Sequence, residues 1–198
     1  MRSHSRDFTV ALAAGVVVAA GARAARDGSL RGIESRVFSA INGLGDRAFV
    51  PTWTVMQLGS LGGAISAGAA VAAAGRPRLG CRMAVAGALT WVGSKAIKPF
   101  VGRGRPASEV DGVRILGDAQ SGLGYPSGHA GVAMAVAAAA VPHVPRVLRP
   151  VLWLAALGVG GARMYVGAHL PLDIAGGIAL GIGTERAVRL LPSRHRCS

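Results

Sequence analysis

Six apolar runs rich in Ala, Gly and Val divide this chain, over residues 8–22, 49–74, 79–97, 127–141, 147–166 and 171–191. Backbone N–H and C=O groups placed in hydrocarbon have no water to bond, so such runs must satisfy them internally. Each is read as a helix, and small side chains of this kind let membrane helices pack closely. The expected fold class is therefore all-α, an integral membrane bundle of six transmembrane helices. The first run is short for a span and resembles a secretory signal, with a basic start and small residues at its end. The five runs that follow favour a retained helix.

Composition agrees with the membrane class. Hydrophobic residues make up 51% of the 198 and charged residues only 16%, against about 25% in soluble domains. The net charge of +13 would suit a nucleic-acid binder. However, the basic residues flank apolar runs instead of lining one polar face, and aromatics are only 5%, which leaves little for base stacking. No nucleic-acid partner is expected; the bilayer and an anionic substrate account for the charge. Cys81 and Cys197 form no CxxC pair or ligand cluster, and their spacing supports neither a disulfide nor a role.

Between the first two runs, residues 26–46 are mixed. Ile33, Val37, Phe38, Ile41 and Leu44 recur at helical spacing, with Arg31, Glu34, Ser35 and Asn42 between them. This predicts a short helix lying in the membrane interface, or a soluble linker helix. Residues 99–125 form the longest polar connection, and long loops of that kind are often functional. No repeat or low-complexity linker appears, so residues 1–198 are expected to form one domain. Six crossings put both termini on one side and the loops after the first, third and fifth spans on the other. With Lys98, Arg105 and Arg163 set aside as functional, the terminal side is richer in Lys and Arg. That places the termini in the cytoplasm and the polar loops outside the cell membrane.

Those loops carry three polar constellations. Lys98 and Arg105-Pro106 lie seven residues apart across a Gly-containing turn, a point charge and a planar fork suited to phosphate oxygens. A basic membrane-flanking stretch would look similar. Pro126-Ser127-Gly128-His129 opens the fourth run: Ser127 suits an N-cap and Gly128 lets an anion approach the first-turn N–H groups. His129 adds a proton donor there, although an ordinary capped helix would also read this way. In the third constellation Arg163 closes the fifth run, His169 precedes the sixth, and Pro171 and Asp173 suit its first and third helical positions. Asp173 can then fold back onto one ring nitrogen of His169, leaving the other unprotonated. This is the orienter-and-nucleophile arrangement of a triad, with histidine attacking.

Together these residues supply a cradle for an anion (Lys98, Arg105, Arg163, Ser127 and Gly128), a nucleophile (His169) and an acid (His129). The set suits phosphoryl transfer, where catalysis is mostly positioning and charge stabilisation. No carboxylate cluster for a metal is evident, since Asp173 is committed to His169, and no cofactor is expected.

The order Lys98-x6-Arg105-Pro106, Pro126-Ser127-Gly128-His129 and Arg163-x5-His169-x3-Asp173 resembles the type 2 phosphatidic acid phosphatase (PAP2) superfamily, in its membrane branch. Ala162 departs from the Ser usual in that family before the arginine. The resemblance implies a metal-independent phosphatase in which His169 forms a phosphohistidine and His129 protonates the leaving group and then activates water. Asp173 would orient His169, while Lys98, Arg105, Arg163 and Ser127 would hold the phosphoryl oxygens. The implied substrate is a membrane lipid phosphate or diphosphate. A polyprenyl carrier leads, as undecaprenyl or decaprenyl diphosphate or a polyprenyl-phosphoryl sugar phosphate; phosphatidate or phosphatidylglycerol phosphate is the alternative. A catalytically silent lipid-binding or transport protein is the non-enzyme alternative. Six apolar runs speak against the family's soluble vanadate-dependent haloperoxidases.

Overall fold

The structure is a computed structural model that describes residues 2–45 and 49–191. Among the described residues every regular element is a helix, and there are no strands. In chain order the helices are α1 (Arg2–Asp27), α2 (Arg31–Asn42), α3 (Phe49–Gln57), α4 (Leu61–Ala73), α5 (Pro77–Val101), α6 (Pro106–Glu109), α7 (Gly128–Ala140), α8 (Arg149–Tyr165) and α9 (Pro171–Leu190).

Helix α7 is the core. Its sequence GHAGVAMAVAAAA is apolar on all sides after the first turn, and a helix with no polar face has to be enclosed. Ala130 to Ala135 and Ala137 to Ala139 are buried, against α5, α8 and α9. Outside this cage α1 packs on α9, α4 on α5 and α3 on α8. The close approach of α9 to α7 depends on Gly177, where a Cβ would collide with the Ser127 carbonyl oxygen.

The second apolar run is not one straight span. It bends by 63° between α3 and α4. Ser60 starts α4 as an N-cap, its Oγ accepting the Gly63 N–H at 2.8 Å. Gly59 occupies the bend because it lies against the His129 carbonyl and Val159, with no room for a Cβ.

The six expected spans are all helical, and length and apolarity single out two or three of them as crossings. Among the described residues, His4–Asp27 and Arg146–Tyr165 are single helices long and apolar enough to cross a membrane, and the bent α3–α4 pair is a third candidate. Helix α5 is long enough at 25 residues, but its ends carry Arg78, Arg82, Lys95 and Lys98. Helix α9, at 20 residues, ends in Glu185, Arg186 and Arg189. Helix α7 has 13 residues, a rise of about 20 Å, short of the ~30 Å hydrocarbon core.

Helix α2 departs from the simple amphipathic expectation. Phe38 is buried, but so are Glu34 and Asn42 of the same stripe, while Ile33 and Val37 are exposed. Residues 34, 38 and 42 repeat every four, so they share one helix face. That face meets polar backbone: the Asn42 amide donates to the Arg114 and Tyr165 carbonyls at 2.8 and 2.9 Å and accepts the Arg114 N–H at 2.8 Å. Cys81, left without a role by its spacing, is disulfide-bonded. Cys197 and the rest of the basic tail, 192–198, lie outside the described residues.

Candidate active site

Four helix ends and two loops meet at one end of the bundle. Helix α5 brings Lys98 in its last turn, and the loop after it brings Arg105. Helix α7 starts there with Gly128 and His129, α8 ends there with Arg163, and α9 starts there with Asp173 just after His169. Lys98, Arg105, Gly128, His129, Arg163 and His169 line a single cavity of about 250 Å³. Two histidines forty residues apart in the chain thus face one small space.

His169 is held on both sides. Its side chain is almost wholly buried, and Nδ1 lies 3.2 Å from Asp173 Oδ2. Asp173 is fixed in turn, as the third residue of α9, by the Leu170 N–H donating to Oδ2 at 3.0 Å. A carboxylate at Nδ1 requires the proton there, which leaves Nε2 as an acceptor. Arg105 Nη1 donates to that nitrogen at 3.0 Å and to the Ala168 carbonyl at 2.8 Å. Burial first, then the nearby cations Arg105, Arg163 and Lys98, hold the His169 imidazole well below the usual histidine range. The ring is therefore neutral at physiological pH, with an unprotonated Nε2.

The cations are positioned by local bonds. Lys98 Nζ donates to the Leu123 and Gly124 carbonyls, both at 2.7 Å, fastening the polar loop over the cavity. An ammonium has three donors, so one remains. Buried Arg163 donates to Met56 Sδ at 3.0 Å and Gln120 Oε1 at 3.4 Å. The Nε–H groups of Arg105 and Arg163 are buried and bond no protein group. Two residues of the cavity wall thus each keep a buried donor without a protein acceptor, which suits an oxyanion.

Ser127 departs from the expected cradle. It is fully buried and absent from the cavity wall; its N–H donates to the Asp173 carbonyl at 2.9 Å, and its Oγ lies 3.5 Å from the Ala130 N–H. The tight α7–α9 packing turns it toward α9, so it caps α7 and ties the two helix starts together. Gly128 does line the cavity.

Several residues at the site escaped the sequence reading. Arg103 is buried and bonds Asp173 Oδ1 through Nη1 at 3.3 Å. Glu34 accepts from Arg103 at 2.6 and 3.1 Å. The Gly-Arg-Gly-Arg repeat could have signalled Arg103, but nothing in the local pattern marks Glu34, whose partner is 69 residues away. Trp91, Ser94, Lys95 and Gln120 also line the cavity, and Lys95 Nζ lies 4.8 Å from the Trp91 ring centroid. The helical offset of 91, 94, 95 and 98 on α5 was the available signal. Among the described residues, no three His, Cys, Asp or Glu side chains converge as metal ligands.

Comparison with known proteins gives a family and a fold. A family model described as the PAP2 superfamily matches residues 79–197. No curated protein sequence matches the chain. The crystal structure of LpxE from Aquifex aeolicus superposes with a TM-score of 0.71 at 23% identity, over 80% of this chain and 96% of that one. A transmembrane PAP2-type phosphatidylglycerolphosphate phosphatase from Bacillus subtilis superposes with a TM-score of 0.75 at 20% identity, over 90% and 94%. At these identities the likeness is one of fold.

Proposed function

The chain belongs to the PAP2 superfamily, and from that premise we propose that it is a metal-independent membrane phosphatase in which His169 takes the phosphoryl group from a lipid phosphate or diphosphate. The observation that carries this reading is His169 itself: neutral, backed by Asp173, and facing the same cavity as His129 and the cations Lys95, Lys98, Arg105 and Arg163.

The chemistry balances on these groups. The Nε2 lone pair attacks phosphorus as the bond to the leaving oxygen breaks, and protonated His129 gives that oxygen its proton. A bound phosphate dianion facing His129 favours the charged imidazole. Lys98, Arg105, Arg163 and the Gly128 N–H stabilise the equatorial oxygens, the role a metal has in other phosphoryl transfers. Water then attacks the phosphohistidine, His129 takes its proton, and the N–P bond electrons return to Nε2 as phosphate leaves. The Nδ1–H to Asp173 contact keeps the tautomer through both halves.

The proposed architecture is one domain with six membrane-embedded helical segments, termini in the cytoplasm and the site at the outer face of the cell membrane. The leading substrate is a polyprenyl carrier diphosphate or a polyprenyl-phosphoryl sugar phosphate. Lys95, on the cavity wall beside the cations assigned to the reacting phosphate, supports a lipid with a second anionic group. Phosphatidylglycerol phosphate also has one, and it is the second reading, favoured by the fold shared with a phosphatase named for that lipid. Phosphatidate has only one.

The test is phosphate release by purified protein in detergent with EDTA, over polyprenyl mono- and diphosphates, phosphatidylglycerol phosphate and phosphatidate. Release from a two-phosphate lipid, together with acid-labile labelling of His169, is the expected outcome. Absence of release from every lipid leaves the silent lipid-binding protein as the reading.

A further inference from the structure

Glu34 lies outside the residues matched by the family model, on a helix that none of the three motifs reaches. It is nevertheless 5% exposed and bonded directly to the machinery around His169. Its Oε2 accepts from Arg103 Nη2 at 2.6 Å; its Oε1 accepts from Arg103 Nη1 at 3.1 Å and from the Leu172 N–H at 2.8 Å. Arg103 Nη1 is shared, reaching Asp173 Oδ1 at 3.3 Å. Asp173 Oδ2 in turn meets His169 Nδ1.

We propose that Glu34 is a positioning residue for the transfer step, holding Arg103 between two carboxylates so that Asp173 stays engaged with His169. The proposal rests on the phosphatase reading. A guanidinium buried among carboxylates distributes its charge over them. With Glu34 charged, Arg103 places two of its three bonds there and only one on Asp173. Without that charge, Asp173 becomes the acceptor that dominates its field. The aspartate is then a weaker acceptor for the Nδ1 proton, and Nε2 is a poorer nucleophile. Glu34 also occupies the Leu172 N–H, one of the unsatisfied donors at the start of α9, and so fixes the turn from which Asp173 projects. The other charged groups facing His169 and Asp173 are Lys98, Arg105, His129 and Arg163, and Arg103 also feels Glu109.

The experiment follows single-turnover phosphoenzyme formation by the full chain in detergent, with labelled lipid phosphate and rates normalised to the burst amplitude. Glu34→Gln keeps the shape and removes the charge. It is expected to slow transfer about 10–100-fold, the usual effect of removing an outer-shell orienting group, with KM changed less than about threefold. Losing a negative charge near the imidazole also lowers its proton affinity, so the acid limb of kcat/KM moves to lower pH. Adding Arg103→Gln removes the unbalanced cation and recovers part of the rate. Glu34→Asp keeps the charge one methylene short and serves if the amide variant does not fold; it is expected to lose several-fold in rate. A folded variant with the wild-type rate per site and the wild-type acid limb overturns the proposal, as does a loss confined to burst amplitude. A wild-type protein that turns over no lipid overturns this inference and the phosphatase reading together.

Discussion

At the residue scale, the site depends on keeping one imidazole uncharged amid cations. His169 is neutral because burial and Arg105, Arg163 and Lys98 all penalise its charged form. The stability consequence has a definite sign. Above about pH 6.5 the ring is neutral both folded and unfolded, and it contributes no pH dependence. Below that, the unfolded chain binds a proton that the folded chain refuses, so stability falls as pH falls, by at most about 1.4 kcal/mol per unit. Between pH 7.5 and 5.5, thermal unfolding in detergent is expected to show a larger loss for wild type than for His169→Gln; equal losses would remove the buried neutral imidazole from the account. The task proposed for His129 is different, proton delivery. His129→Ala is expected to lower kcat by about 10²–10⁴, the range for general acid catalysis. The check is a leaving group of low pKa, such as p-nitrophenol, which needs no proton and should restore most of the rate.

At the element scale, the site is a product of helix ends brought close by small residues. The Ser127 N–H meets the Asp173 carbonyl at 2.9 Å, so the starts of α7 and α9 are locked to one another. Gly177 allows that approach, since any side chain there would strike the Ser127 carbonyl. Gly177→Val is expected to destabilise the protein by about 1–3 kcal/mol, the range for overpacking, and to separate His129 from His169. Unfolding in detergent and the single-turnover rate measure the two effects. A stable variant with full activity would show that the contact is not needed. The bend between α3 and α4 serves the same end, because Gly59 lies against the His129 carbonyl. Helix α2 packs through Glu34, Phe38 and Asn42, and by that means a segment distant from the motifs reaches the core of the site.

At the scale of the whole molecule, polar chemistry is gathered at one end of an apolar bundle, where a lipid headgroup can meet it while its chains stay in the bilayer. Reporter fusions test the orientation: both termini are expected to be active with a cytoplasmic reporter, and a tag inserted near Gly112, an exposed turn of the polar loop, with an external one. The opposite pattern would invert the proposed orientation. The helical class, the motif histidines, Asp173 as third residue of α9 and the cations Lys98, Arg105 and Arg163 were all legible in the sequence, because hydropathy, capping and charge act over a few neighbouring residues. Other features were not. The 63° bend, the enclosure of α7 and the turning of Ser127 toward α9 follow from how helices stack. Glu34 and Arg103 are partners across 69 residues. Nothing local distinguishes a glutamate facing solvent from one facing a buried guanidinium. That difference arises only when folding brings the two charges together and removes the water between them.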